Sequence, residues 1–252
     1  RKTLVMYPSD MIDEQWEIVQ KHFLAGKRAG RPRVCSARDV NNAIFYVQAT
    51  GVEPLVVDVR TTQKLPALEA GLQTFARWRQ RGVWDVLLAL LRQQKCAQGG
   101  QAVRPSVTII DSQSLKTVQK GQHGYNAGKR VKGRKRHIAV DTMGLLLALV
   151  VHSAGIQDRA GDRTLLIRLF MHFECLKTIF ADGGYMGSLI NWCRACSAGP
   201  CRWIKHWIAE RTCAWLSQSR RLSKDYEVTV FFSRIVREDR LHSAHGQVLG
   251  QL

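Results

Sequence analysis

Two periods of apolar residues divide this chain. Up to about residue 95 the apolar positions recur every three or four residues, the pattern of amphipathic helices. From Ser106 they run in short β-branched blocks, the pattern of buried strands. In the first part, Ile12, Trp16, Val19 and Phe23 share one face over residues 10–24, and Asp10 stands where a helix cap is needed. Ser36 and Asp39 read as a capping box. The helix behind it runs through Val40, Ile44 and Val47 to Gly51, a suitable C-terminal glycine. A third helical region over about 73–95 carries Phe75, Trp78, Trp84, Leu87, Leu88 and Leu91, with Gly82 as its break. Residues 52–72 show neither period. The first two helices are joined by a basic linker, GKRAGRPR (26–33). The pair is half of a helix-turn-helix unit or, more plainly, part of a small helical bundle.

Ala97 to Pro105 is a polar linker and the expected domain boundary. Beyond it, Val107, Ile109 and Ile110 predict a buried strand ending at Asp111. A second strand is expected over 134–142 and a third over Leu145–Val151, joined by the tight Met143-Gly144 turn of an antiparallel hairpin. A helix follows over about 160–173, then a fourth strand over 177–181 that ends in Asp182. A short helix over 187–196 and a last helix over 202–219, carrying Glu210, complete the pattern.

Charge narrows the class of partner. With 38 Lys and Arg against 20 Asp and Glu, the formal charge is +18, and a polyanion such as nucleic acid is the natural counterpart. No apolar run approaches the length of a membrane span, and the opening RKTLVMYPSD has too short an apolar part for a signal peptide. Seven cysteines, an odd number in a long chain, suit a reducing compartment better than a disulfide framework. Eight basic residues and no acidic one lie between Lys116 and Arg136: Lys116, Lys120, Lys129, Arg130, Lys132, Arg134, Lys135 and Arg136. They are candidates for phosphate contact, as are Arg220, Arg221 and Lys224 after the last helix.

Asp111, Asp182 and Glu210 are the candidate catalytic and metal-binding residues. Two strand ends and one helix bring three carboxylates to a sheet crevice, where they ionise together only if a cation neutralises them. Hard oxygen ligands suit Mg²⁺ or Mn²⁺, and two such ions can activate water and steady the leaving oxygen of a phosphodiester. A separate spacing, Cys193, Cys196, Cys201 and His206, has the look of a zinc knuckle.

The segments IIDSQSLKT, HGYNAGKRVKGRKRHIAVDTMGLLLALVVHSA, QDRAGDRTLL, FADGGY and WIAERTCAWLSQSRRLSKDYE resemble bacterial insertion-sequence transposases of the DDE type, in the insertion-sequence-five family. The opening MYPSDMIDEQW and the GRPR segment resemble that family's start. The resemblance implies an α/β, ribonuclease-H-like mixed-sheet core over 106–227, behind an N-terminal helical DNA-binding region over 1–97. It implies metal-dependent hydrolysis at the ends of the element and strand transfer into target DNA, by a homo-oligomer on double-stranded DNA in the bacterial nucleoid. Asp111, Asp182 and Glu210 match the family's three acidic positions. The chain departs from the pattern in three places. Residues 52–72 lack an expected segment. Asp182 and Glu210 are only 28 residues apart, without the usual extra strand, and His206 stands where the family tends to have an arginine. The tail over 228–252 is atypical. An alternative reading is therefore a decayed, inactive DNA-binding remnant, and a third is a nuclease of the same fold that does not transfer strands.

Overall fold

A computed structural model describes residues 7–24, 36–51, 74–78, 80–118, 123–182, 185, 201–203 and 207–226. The basic linker, residues 52–72, the helix expected over 187–196 and the tail from 228 lie outside them.

The N-terminal part contains α1 (Asp13–Leu24), α2 (Ala37–Thr50) and α3 (Val83–Gln98), and residues 74–78 are also helical. α1 begins later than its apolar spacing predicts. Asp10 accepts the Tyr7 N–H at 2.9 Å in a turn instead of capping the helix, and Ile12 is exposed. Asp13 and Glu14 open α1, and Lys21 and His22 close it, signs that suit the helix dipole. The capping box of α2 is formed: Ser36 Oγ accepts the Asp39 N–H at 3.0 Å, and Asp39 Oδ2 accepts the Ser36 N–H at 3.3 Å. Gly51 ends α2 with φ 71°, a left-handed conformation that costs a glycine little. Phe23 is the centre of the bundle, 4.5 Å from the Trp78 ring and 5.7 Å from that of Trp84. Met11, Val19, Val40 and Leu87 close around this aromatic cluster.

The remainder is a mixed α/β fold. One six-stranded sheet comprises β1 (Val107–Lys116), β2 (Gly124–Asn126), β3 (Val131–Val140), β4 (Leu146–Ser153), β5 (Thr178–Ala181) and β6 (Cys201–Trp203). β1 lies between β3, antiparallel to it, and β5, parallel to it. β4 and the short β2 share the far edge of β3. β6 runs parallel to β5. Helix α4 (Asp158–His172) precedes β5, and α5 (Trp207–Gln218) and α6 (Arg220–Ser223) follow β6.

Alternation along β1 separates the two faces. Ile110 packs with Leu165, Leu166 and Leu169 of α4, whereas Ile109 packs with Ile208, Ala209 and Leu216 of α5. The N-terminal helices lean on this core rather than standing apart. Leu88 of α3 packs against the α5 side, and Arg92 of α3 lies over the Phe173 ring at 5.2 Å.

Two expectations change here. β1 does not end at Asp111 but continues to Lys116, because β3 pairs with it as far as Lys116↔Gly133. The last helix begins at Trp207 rather than near 202, and Cys201–Trp203 is an added parallel edge strand. Three residues that follow Gly199 and Pro200 in the sequence carry no period of their own. Their strand character comes from pairing with β5, a contact remote in sequence.

Candidate active site

The register of β1 and β5 sets the site. Their parallel ladder runs from Val107↔Thr178 to Ile110↔Ala181. Asp111 and Asp182 are therefore the next residues on two neighbouring strands, where β5 has just ended. Phe180 packs on the α5 face, and a period of two carries Asp182 to the same side. Asp111, in step with Ile109, also faces α5: Cys213 Sγ, on that helix, donates to Asp111 Oδ2 at 3.9 Å. Glu210 stands three residues before Cys213, one helical turn away on the same side.

Helix α5 is fixed to the sheet by two contacts with the β3–β4 turn. Thr212 Oγ1 donates to the Gly144 carbonyl at 2.9 Å, and Arg211 Nη2 donates to the Met143 carbonyl at 2.9 Å. Gly144 has φ 83°, and a Cβ there would stand 2.9 Å from Thr212 Oγ1, so both conformation and proximity require glycine. The Arg211 guanidinium is held between the Trp207 and Trp215 rings, 4.5 and 4.6 Å from their centroids.

The surroundings of Asp111 act on its charge. Burial pushes the Asp111 carboxyl above the usual carboxylate range, and the nearby charges of Asp182 and Glu210 push it further. The Ser112 N–H, which donates to Asp111 Oδ1 at 2.7 Å, and the Lys129 ammonium pull the other way. Burial, opposed by Arg136, pushes the Cys213 thiol up to about 12, so it remains a neutral donor to Asp111. Among the described residues, no three His, Cys, Asp or Glu side chains are grouped tightly enough to clasp an ion as they stand. The chemistry of the donor set nonetheless fits a hard divalent cation. Three carboxylates within electrostatic reach, one of them partly desolvated, form an excess of negative charge that such an ion offsets.

The basic residues separate into two groups. Lys116, Arg130 and Lys132 are exposed, as are Arg220 and Lys224. Lys129 is exposed along its length but reaches back, its Nζ donating to the Ser112 carbonyl at 3.1 Å. Arg134, Lys135 and Arg136, expected on a phosphate-facing hairpin, are instead inside the protein. Arg134 makes a fully buried ion pair with Asp225 at 3.1 Å. Lys135 Nζ donates to the Ile156 carbonyl at 3.1 Å. Arg136 donates to Gln113 Oε1, and its burial lowers its pKa. The reason is position: these three fall on the middle strand, with β1 on one edge and β4 on the other. Lys120 lies outside the described residues, and so do Cys193, Cys196 and His206 of the zinc-like spacing. Arg221 lies over the Tyr226 ring at 6.0 Å.

Sequence reasoning missed Cys213 as a neighbour of Asp111. The available signal was its spacing from Glu210, since residues three apart share a helix face. It also gave no reason to single out Lys129 among eight basic residues.

Comparison with known families points to transposases. Residues 103–199 match the model of a transposase DDE domain. Residues 11–88 match that of a putative transposase of the IS4/5 family. No curated protein matches the chain.

Proposed function

The chain belongs to the IS4/5 family of DDE transposases, and we propose that in it Asp111, Asp182 and Glu210 form the site of phosphodiester cleavage and strand transfer on a ribonuclease-H-like core. The observation that carries this reading is the register of β1 and β5, which sets Asp111 and Asp182 at neighbouring positions where β5 ends, beside the helix that carries Glu210. The three carboxylates would hold Mg²⁺ or Mn²⁺, as a pair of ions. When bound, such ions make water a nucleophile at neutral pH and offset charge on the phosphate oxygens.

The protein's own groups have distinct tasks. The Ser112 N–H and the Cys213 thiol each hold one oxygen of Asp111, fixing the plane of its carboxylate. Thr212 and Arg211 pin α5, the helix that carries Glu210, to the β3–β4 turn. In hydrolysis a water oxygen bonds phosphorus, the bond from phosphorus to the 3′ oxygen breaks, and that oxygen takes a proton. The resulting 3′ hydroxyl then attacks a phosphorus of target DNA and displaces the 3′ oxygen there. The exposed residues Lys116, Arg130 and Lys132, with Arg220 and Lys224, are proposed to meet DNA phosphates, and the N-terminal bundle to recognise the element's ends.

A decayed remnant is the less favoured reading. The short interval between Asp182 and Glu210 still includes an edge strand, and α5 still packs against the sheet beside Asp111. The test is to incubate the protein with Mg²⁺, a labelled duplex bearing the gene's own flanking sequence, and a target plasmid. The expected product is donor DNA joined covalently to target. Cut donor without joined product would replace the transposase reading by a nuclease; bound but uncut donor would restore the remnant.

A further inference from the structure

We propose that the β2–β3 turn is built to present Lys129 to the phosphate being cut, so that this one lysine, unlike the other exposed basic residues, acts at the reacting group. The inference rests on the reading above, that the phosphate is bound at Asp111. β2 and β3 close through residues 127–130, between paired Asn126 and Val131. Asn126 organises the turn: its Oδ1 accepts the Lys129 N–H at 3.1 Å, and its Nδ2 donates to Ser114 Oγ on β1 at 3.0 Å. Arg130 has φ 51°, the single non-glycine residue with positive φ among those described. A left-handed residue after Lys129 is a local strain that the Asn126 contacts hold in place.

The effect is to fold a long side chain back over β1. Lys129 Nζ reaches the carbonyl of Ser112, the residue after Asp111. An ammonium has three donors, and one is spent on that carbonyl. The remaining two are left for a ligand near Ser112 of β1, and the ammonium acts on the Asp111 carboxylate through space. Here the ammonium is a fixed point charge suited to a non-bridging phosphate oxygen. Among the described residues no such contact ties Lys116, Arg130 or Lys132 to the backbone beside Asp111, and these are assigned to the flanking DNA backbone instead.

The ligand class is thus a DNA phosphodiester anion at the junction between element and flank. The experiment compares wild type, Lys129→Met and Lys129→Arg on two duplexes that differ at the junction, one with a normal phosphate and one with a neutral methylphosphonate. Binding is measured in EDTA, and cleavage of the normal duplex in Mg²⁺. Wild type is expected to bind the neutral duplex about tenfold more weakly, the value of one charge-assisted contact. Lys129→Met is expected to bind both duplexes alike and to cut at least about tenfold more slowly. Lys129→Arg is expected to keep the discrimination. If Lys129→Met discriminates as wild type does, or if wild type does not discriminate, the assignment of Lys129 is wrong. Discrimination that depends on Lys129 but comes without cleavage by wild type would keep the lysine–phosphate pairing and overturn the catalytic reading instead.

Discussion

Asp111 illustrates how a functional residue is held at a cost to stability. Its carboxyl is raised by burial and by two acidic neighbours. A raised acid binds more protons in the folded state than in the unfolded one, so its contribution to stability falls as pH rises from the ordinary carboxylate range through the folded value. In metal-free protein, Asp111→Asn should therefore melt higher than wild type at neutral pH and lose part of wild type's decline between acid and neutral pH. Thermal denaturation in EDTA across pH checks this; a variant that melts lower at pH 7 would refute it. Arg134 and Asp225 are the opposite case, a pair whose worth is structural. Both are fully buried, so Asp225→Ala strands a guanidinium in the interior and should destabilise the fold by about 3–5 kcal/mol. Denaturant titration measures it. A change below about 1 kcal/mol would mean that the pair is not buried in solution.

At the scale of elements, the β3–β4 turn matters beyond joining two strands, since it docks the helix that carries Glu210. Gly144→Ala should cost about 1–3 kcal/mol through its left-handed backbone and its contact with Thr212, and should also slow cleavage. Unchanged cleavage with lowered stability would show that Glu210 does not depend on this docking. Elements with strong local signals were legible in the sequence. The capping box and closing glycine marked α2, the Met143-Gly144 turn marked the hairpin, and β-branched blocks marked β1, β4 and β5. Elements defined by remote partners were not. β6 exists through its pairing with β5, and β1 runs past Asp111 because β3 continues beside it. The same limit misread the basic run. Arg134, Lys135 and Arg136 read by charge as phosphate contacts, but pairing on both edges of β3 puts them inside. For the site, Asp111, Asp182 and Glu210 are singled out by the sequence and remain a proposal, whereas the Cys213 contact and the reach of Lys129 needed three dimensions.

At the scale of the whole molecule, the charge of +18 suits a polyanionic partner, and the proposed function makes that partner DNA. Because Arg134, Lys135 and Arg136 are buried, fewer residues of the basic run face phosphate than composition implies. Replacing Lys116, Arg130 and Lys132 together by Ala should weaken DNA binding and reduce the slope of log K against log salt by about three, near one per lost contact. An unchanged slope would place the DNA elsewhere on the surface. The helices α1 to α3 share an aromatic core, and α3 also packs on the sheet core. The N-terminal bundle is thereby joined to the sheet core through packed side chains.

The most direct test is strand cleavage, in Mg²⁺ or Mn²⁺, of a duplex carrying the gene's own flanking sequence, by wild type beside Asp111→Asn, Asp182→Asn and Glu210→Gln. Wild type is expected to cut and leave a 3′ hydroxyl, and each variant to lose about a thousandfold or more in rate, the scale of a metal-assisted step that has lost a carboxylate. Glu210→Gln cutting at the wild-type rate, or wild type binding the duplex without cutting it, would contradict a three-carboxylate site.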